Sequence, residues 1–466
     1  MDESWISVTS TSGSSSQKTM SSSKKDIFMV IGGSGFLGRH IVQQLLDRGD
    51  IVSVFDIVQR YSDVPFYSGD ISEEEQVAAA LRKCGATCII HTASPPAGLS
   101  DPALYWKVNV DGTKAVIAAA QSVGVRKLVF TSSAGVVFNG TDNIDIDERL
   151  PFPDKPMDAY NESKAKAEEA VLAANGVNGL LTVALRPAGI FGPGDRQVMA
   201  GLYQVYERGQ THFQIGDNNN LFDWTYVGNV AYAHLLAADK LQEPVVATDC
   251  SKLSPQEEAI ISYPLPSIEH TTRGQRIPTS EARPLGPYVT PPPNADKILA
   301  AFTQPVPPKS NRPVVRSRFD ALSDTSVLRM KAAANGTSPL QVAGEVFFIT
   351  NGEPCYFWDF MRMVWHRLDS IFPEKRAQKK RAIVLPRVVG MAAATASEWV
   401  GWLIGKEPTF TRFKVTFSCV NRWHNIEKAR RVLGYEPIVG VEEGVGRMVE
   451  WWQAEYAAGN HKIAHK

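Results

Sequence analysis

From Ile27 onward, short wholly apolar segments alternate with segments in which apolar residues recur every three or four positions. Ile27 to Ile31, Ile51 to Phe55, Cys88 to His91 and Leu128 to Thr131 are of the first kind, and predict strands buried on both faces, as in a parallel sheet. Arg39 to Arg48 is of the second kind, and strand–helix alternation of this sort predicts βαβ units. Met1 to Lys25, rich in Ser and Thr without an apolar run, predicts a disordered tail and no secretory signal. From Pro244 to Pro339 the periodicity fades, and clusters such as Pro291-Pro292-Pro293 and Pro305-Val306-Pro307-Pro308 break up any helix or central strand. The layout expected is a tail over 1–25, a nucleotide-binding unit over 26–243, a long and largely disordered insertion over 244–342 and a smaller α/β substrate region over 343–460.

The first strand runs into Gly32-Gly33-Ser34-Gly35-Phe36-Leu37-Gly38. Glycines three apart between a strand and a helix suit a tight turn whose N–H groups face a pyrophosphate, so Gly32, Gly35, Phe36, Leu37 and Gly38 are expected to bind a dinucleotide. The next strand ends in Asp56. A carboxylate there can accept hydrogen bonds from the adenosine ribose and would repel a 2′-phosphate, which favours NAD over NADP. The expected fold class is therefore α/β, a Rossmann-like doubly wound parallel sheet, with ligands gathered at the carboxyl ends of the strands. On that rule Asp70 approaches the adenine edge, while the small residues Ala93 and Ser94 let the backbone approach the nicotinamide.

Tyr160 and Lys164 stand four apart, one helical turn on the same face. An ammonium beside a phenol lowers its pKa from about 10 and fits it to exchange a proton with a substrate hydroxyl. Alone, such a pair is usually a surface feature. What gives it weight is the order of glycine turn, acidic strand end, the Thr131-Ser132-Ser133 strand end, and then Tyr-x-x-x-Lys.

Lys+Arg and Asp+Glu both total 49 in 466 residues, so no excess charge points to nucleic acid. The 5 cysteines are scattered, which suits a reducing compartment. Cys84 and Cys88 lie close together, but no second pair completes a zinc site, and no metal is expected.

Several runs resemble the extended short-chain dehydrogenase/reductases and, within them, the 3β-hydroxysteroid dehydrogenase family. The glycine turn, Asn109-Val110-Asp111-Gly112-Thr113 and Phe130 to Phe138 are similar to the fungal sterol-4α-carboxylate 3-dehydrogenases (decarboxylating). So are Leu185 to Gly194 and Phe222 to Val230, and further on Phe357-Trp358-Asp359-Phe360 again resembles the steroid dehydrogenase family. The resemblance implies a catalytic set of Ser133, Tyr160 and Lys164, with Ser132 as the alternative one residue earlier, and Pro187 beside the nicotinamide. For Asn109 a brace of the active-site backbone and a helix cap are both open readings. It further implies NAD-dependent oxidation of the 3β-hydroxyl of a sterol, with loss of CO₂ from a 4α-carboxylate. A 3β-hydroxysteroid or triterpenoid dehydrogenase without decarboxylation shares every motif. A nucleotide-sugar epimerase or dehydratase and a non-catalytic NAD-sensing scaffold are more distant alternatives.

The last expectation concerns an apolar stretch over 383–405, preceded by Lys375-Arg376 and Lys379-Lys380-Arg381 and too short between its charges to span a bilayer. Val388, Met391, Ala392, Thr395, Trp399, Trp402 and Leu403 fall on one helical stripe, as on a helix lying in a membrane interface or closing over a substrate. With the resemblance, this places the protein on the cytosolic face of the endoplasmic reticulum membrane, a cytoplasmic location being the alternative. A homodimer or a sterol-biosynthesis complex are the partners implied.

Overall fold

The apolar segments become the inner strands of one parallel sheet: β1 (Ile27–Ile31), β2 (Ile51–Asp56), β3 (Phe66–Ser68), β4 (Cys88–His91), β5 (Lys127–Thr131), β6 (Leu181–Pro187) and β7 (Val346–Ile349). Their order is β7-β6-β5-β4-β1-β2-β3. The computed structural model describes residues 25–242, 275–276, 342–375, 382–405, 410–426 and 428–459. Residues 1–24 of the tail and 244–341 of the insertion, apart from Gln275–Arg276, lie outside the described residues.

Alternate residues of each strand enter opposite layers of the core, as the two-residue strand period requires. Phe28, Val30, Ile90 and Val129 belong to one layer, and Met29, Ile31, Ile89 and Leu128 to the other. Helices α1 (Phe36–Asp47) and, later in the chain, α6 (Val227–Lys240) pack together against the first layer. The second is covered by α2 (Glu74–Cys84) and α3 (Thr113–Val123). Each fully buried Val, Leu or Ile contributes roughly 1.5–3 kcal/mol.

The chain runs from β1 outward to β2 and β3, then returns to β4 on the other side of β1. This reversal opens a crevice beyond the carboxyl ends of β1 and β4. The glycine turn, Asp56 and Ala93 all lie on that edge.

Two departures from the expected layout have clear causes. Val346–Ile349, expected in the substrate region, pairs along β6 from Ala184 to Pro187 and completes the main sheet, so a boundary at 343 cuts across that sheet. Its residues Phe347, Phe348 and Ile349 are buried, and β6 offers them the one open edge on that side. A smaller sheet forms from Asn143–Ile146, Leu221–Phe222, Cys355–Tyr356 and Arg422–His424, with Gln275–Arg276 beside Asn143 and Ile144.

In the apolar C-terminal stretch, Ile383–Leu385 is a strand paired with Phe213–Ile215, and the helix itself spans Arg387–Ile404. This helix, α8 after α4 (Ala159–Ala173), α5 (Val198–Glu207) and α7 (Phe357–Ile371), docks through small residues. Gly390, Ala394 and Gly401 are buried, and a Cβ on Gly390 would stand 3.3 Å from Val415 of α9 (Arg412–Cys419). The large apolar residues point outward: Val388 is 80% exposed, Trp399 65%, Trp402 76% and Leu403 70%. Met391 and Thr395, expected on the same stripe, are half-buried, because they border the docking seam. Among the described residues no helix is long and apolar enough to cross a membrane.

Candidate active site

The turn after β1 folds as its glycines require. Gly32 has φ +82°, and a Cβ there would stand 2.7 Å from the backbone N of Ala93. A Cβ on Gly38 would stand 2.1 Å from the carbonyl oxygen of Gly32, so only glycine lets α1 start this close to the strand. Gly35 differs: a Cβ there would meet only the Gly32 oxygen, at 3.1 Å, and its other sides are open. No side chain caps α1, which leaves its first N–H groups for a ligand or water.

This concave, uncapped turn fits a pyrophosphate. Asp56 closes it: Oδ2 accepts the Ser34 N–H at 3.0 Å and Oδ1 the Ile57 N–H at 2.7 Å. The carboxylate therefore organises the turn as well as facing the cleft. Arg60, not anticipated from the sequence, donates to the Ser34 carbonyl at 3.1 Å. Asp70 sits further along the same wall, where its carboxylate accepts from Ser72 N and Oγ and lies 3.5 Å from Lys107 Nζ.

One cleft of about 1280 Å³ joins the turn to the strand ends of β4, β5 and β6. Ala93, Ser94, Ser133, Tyr160, Lys164 and Pro187 all line it. Tyr160 and Lys164 lie on α4, which starts at Asp158; its Oδ1 accepts the Asn161 N–H at 2.8 Å as an N-cap. Of the groups around the Tyr160 phenol, the side chains of Ser133 and Ser94 favour its ionised form, and all three line the cleft. Ser133 in turn accepts the Gly135 N–H at 3.0 Å, which fixes its rotamer. Ser132, one residue earlier, turns away: its Oγ donates to Glu168 Oε2 at 2.5 Å. The serine that meets the phenol is thus Ser133.

The electrostatics differ from the simple Tyr–Lys expectation. Burial, aided by the charge of Asp158, pushes the Tyr160 phenol up to about 12, against the opposing pull of the Ser133 and Ser94 side chains. Burial also brings Lys164 down to about 7, with Glu168 acting in the opposite direction. Lys164 Nζ donates to the Thr131 carbonyl at 2.7 Å and lies 4.7 Å from the Phe130 ring centroid. In the free protein desolvation therefore outweighs any acidifying effect of the lysine on the phenol.

Asn109 is a brace and not a cap, since it lies inside the helical turn Trp106–Gly112 and its Nδ2 donates to Ser163 Oγ at 2.9 Å. Ser163 donates onward to the Tyr160 carbonyl at 2.8 Å, so Asn109 holds the backbone at Tyr160. Two groups were not singled out from sequence. Tyr105 packs edge-on against Tyr160 with ring centroids 5.5 Å apart and ties down the neighbouring loop through Pro96 O and Leu99 N. Glu168, one turn beyond Lys164, forms a buried pair with Arg186 of β6. Helical spacing from Tyr160 and Lys164 was the available signal for Glu168.

Doubly wound sheet, glycine turn and Ser–Tyr–Lys cluster give the chain the architecture of a short-chain dehydrogenase. The sequence profile of the 3-beta hydroxysteroid dehydrogenase/isomerase family matches residues 29–253. A sterol-4-alpha-carboxylate 3-dehydrogenase, decarboxylating, from Saccharomyces cerevisiae is 39% identical, over 92% of this chain and 98% of its own length. Its human namesake is 31% identical, over 90% and 87%. Among solved structures, a UDP-glucose 4-epimerase from Thermotoga maritima superposes with a TM-score of 0.54 at 18% identity, over 92% of this chain and 99% of its own. A Thermus thermophilus UDP-glucose 4-epimerase, solved in complex with NAD, has a TM-score of 0.51 at 19% identity, over 91% and 98%. At such identities these two establish a shared fold. The chain belongs to the 3-beta hydroxysteroid dehydrogenase/isomerase family.

Proposed function

We propose that the protein oxidises the 3β-hydroxyl of a 4α-carboxysterol with NAD⁺ and releases CO₂. The observation that carries this reading is that Tyr160, Lys164, Ser133 and Ser94 line the one cleft that begins at the glycine turn. Relatives named for this reaction, similar over nine-tenths of the chain, narrow the substrate class. Gly32, Gly35, Phe36, Leu37, Gly38 and Asp56 would hold the dinucleotide, Asp70 its adenine edge, and Ala93, Ser94 and Pro187 its nicotinamide end. Bound there, the dinucleotide supplies the acceptor for the C3 hydride.

The protein's own groups do the rest. Ser133 positions the C3 oxygen, Tyr160 takes its proton, and Lys164 provides positive charge and a donor for the nicotinamide ribose. Oxidation at C3 leaves a ketone β to the carboxylate. The electron pair of the breaking C4–carboxyl bond can then move into that carbonyl, so CO₂ departs without a further catalytic group.

Peripheral contact with the endoplasmic reticulum membrane belongs to the same proposal. It is supported by the outward Trp399, Trp402 and Leu403 of α8 and the basic run before it. The decisive assay follows NADH and CO₂ from a 4-carboxysterol. Tyr160→Phe should lose at least roughly a hundredfold in kcat, the lower end of what a positioned acid–base group contributes. Near-normal turnover by that variant would refute the assignment.

A further inference from the structure

Between β4 and the single helical turn Pro102–Tyr105 the chain runs through Pro95-Pro96-Ala97-Gly98-Leu99-Ser100, and Pro95 to Leu99 line the cleft that holds Tyr160. No residue of this loop belongs to a strand or helix, and Gly98 turns the chain at φ +88° with no neighbouring atom to crowd it. One side chain ties the loop to the rest of the fold. The Tyr105 hydroxyl donates to the Pro96 carbonyl at 2.6 Å and accepts the Leu99 N–H at 2.8 Å. Among the described residues the loop has one other hydrogen bond, and it is local, from Ser94 Oγ to the Pro95 carbonyl.

Tyr105 is itself firmly held. It is 2% exposed, its N–H donates to the Asp101 carbonyl, and Asp101 caps the same turn by accepting the Leu104 N–H at 3.0 Å. Its ring meets that of Tyr160 edge-on, with centroids 5.5 Å apart. The hydroxyl of one tyrosine thus sets the loop at a fixed place relative to the phenol of the other.

The loop and the turn after it also present carbon to the cleft. Leu99 is 44% exposed and Leu104 37%, and both line it. Large apolar side chains gain by leaving water, and a lipid lying in the cleft would cover them. On a sterol held at Tyr160 by its C3 oxygen, the ring carbons beyond C3 are the next atoms to meet the wall around that phenol.

We propose that Leu99, with Leu104, is an apolar clamp on the sterol rings, and that Tyr105 is the positioning residue that holds the clamp in place. The assignment deepens the 3β-hydroxysterol reading above and rests on it. With the hydroxyl present, the loop is ordered before substrate arrives. Without it, part of the binding energy goes into ordering the loop, so the effect falls on KM and leaves the reacting groups as they are.

The test compares wild type, Tyr105→Phe, Leu99→Ser and the double variant with NAD⁺ and a detergent-dispersed 4α-carboxysterol, followed by NADH formation. Tyr105→Phe keeps the ring against Tyr160 and returns the Pro96 carbonyl and the Leu99 N–H to water. Its KM for the sterol should rise roughly tenfold, the worth of one to two net hydrogen bonds, while kcat and the NADH affinity in a fluorescence titration stay near wild type. Leu99→Ser, on the exposed loop where folding is not at stake, should raise KM by a similar factor. Because Tyr105 acts through the loop, the double variant should be little worse than either single one. Chymotrypsin provides a readout without turnover: cleavage after Leu99 should be faster in Tyr105→Phe, and in wild type sterol added with NADH should slow it more than NADH alone. An unchanged KM in either single variant, or single effects that multiply in the double, would overturn the proposal. So would an NADH affinity that falls as far as the sterol's, which would make the loop a clamp on the dinucleotide. A lowered kcat at constant KM overturns it as well, and leaves Tyr105 as support for the Tyr160 ring. If wild type oxidised no 4-carboxysterol, the 3β-hydroxysterol reading would fall and the clamp with it. Wild-type turnover beside unaffected Tyr105→Phe and Leu99→Ser removes the clamp alone.

Discussion

Replacing Glu168 with methionine tests what holds α4, the helix of Tyr160 and Lys164, against the sheet. The Glu168 side chain is 0% exposed and that of Arg186 5%. Arg186 Nε donates to both carboxylate oxygens, at 3.2 and 3.0 Å, and Nη2 donates to Oε1 at 2.5 Å. Ser132 Oγ adds a fourth hydrogen bond. Removing the acid strands a guanidinium between the rings of Phe152 and Phe348, each 5.4 Å away, and leaves the Ser132 hydroxyl without its acceptor. Breaking a buried pair from one side costs about 3–5 kcal/mol, a large part of the roughly 5–15 kcal/mol that stabilises a typical domain.

The assay is urea unfolding followed by tryptophan fluorescence. Glu168→Met should lower the midpoint by an amount equivalent to about 3–5 kcal/mol at unchanged slope. The double variant Glu168→Met with Arg186→Met should regain most of that loss, because it leaves no lone charge and the neighbouring rings already provide an apolar surround. A single variant as stable as wild type would refute the argument, as would a double variant no better than the single. Activity adds an independent readout. Glu168 opposes the downward shift of Lys164, so its loss should leave Lys164 uncharged over more of the neutral range and move the pH–rate profile.

Three further outcomes follow from the same geometry. Gly38→Ala places a methyl 2.1 Å from the Gly32 oxygen, so it should cost at least about 1–3 kcal/mol of stability and weaken NADH binding in a fluorescence titration; unchanged affinity would show that the turn is not the dinucleotide cradle. Burial raises Glu148 from 4.5 to about 7, with Lys428 pulling it down and Asp147 pushing it up. Because the folded state holds this proton more tightly, the resulting stability is complete below pH 4.5 and is lost as pH rises through about 7. Glu148→Gln should therefore gain on wild type between pH 5 and 8, by up to about 3 kcal/mol, and parallel melting curves across that range would contradict it. Serines at Trp399 and Trp402 should weaken co-sedimentation with anionic vesicles by roughly tenfold or more while sparing turnover of detergent-dispersed sterol; unaltered sedimentation would remove α8 from the membrane contact.

What could be read from the sequence was whatever a short stretch of chain settles locally. The glycine turn depends on contacts between Gly32, Gly35 and Gly38, all within seven residues, and Tyr160 and Lys164 share a face because a helix turns once in about four. The preference for Ser133 over Ser132 followed from resemblance alone; its physical cause is the Ser132–Glu168 bond, which joins residues 36 apart. The Tyr160 phenol went the other way, because proximity to a lysine is visible in sequence whereas the desolvation that raises the phenol needs the whole folded cleft. Asn229 shows the same limit. In sequence it was one letter of a family-like run, but in the fold its Nδ2 reaches Asn351 Oδ1 and Val439 O, and its Oδ1 accepts from Ile438 and Val439. It ties α6 to the C-terminal segment across more than two hundred residues. The substrate side of the cleft is built in this way throughout: Phe222, Trp224, Phe417 and Arg422 meet only because strands from distant parts of the chain pair in the smaller sheet. A fold made so leaves the dinucleotide half fixed by nearby residues and the substrate half free to differ. The UDP-glucose 4-epimerases named above accordingly share the sheet at only 18% and 19% identity.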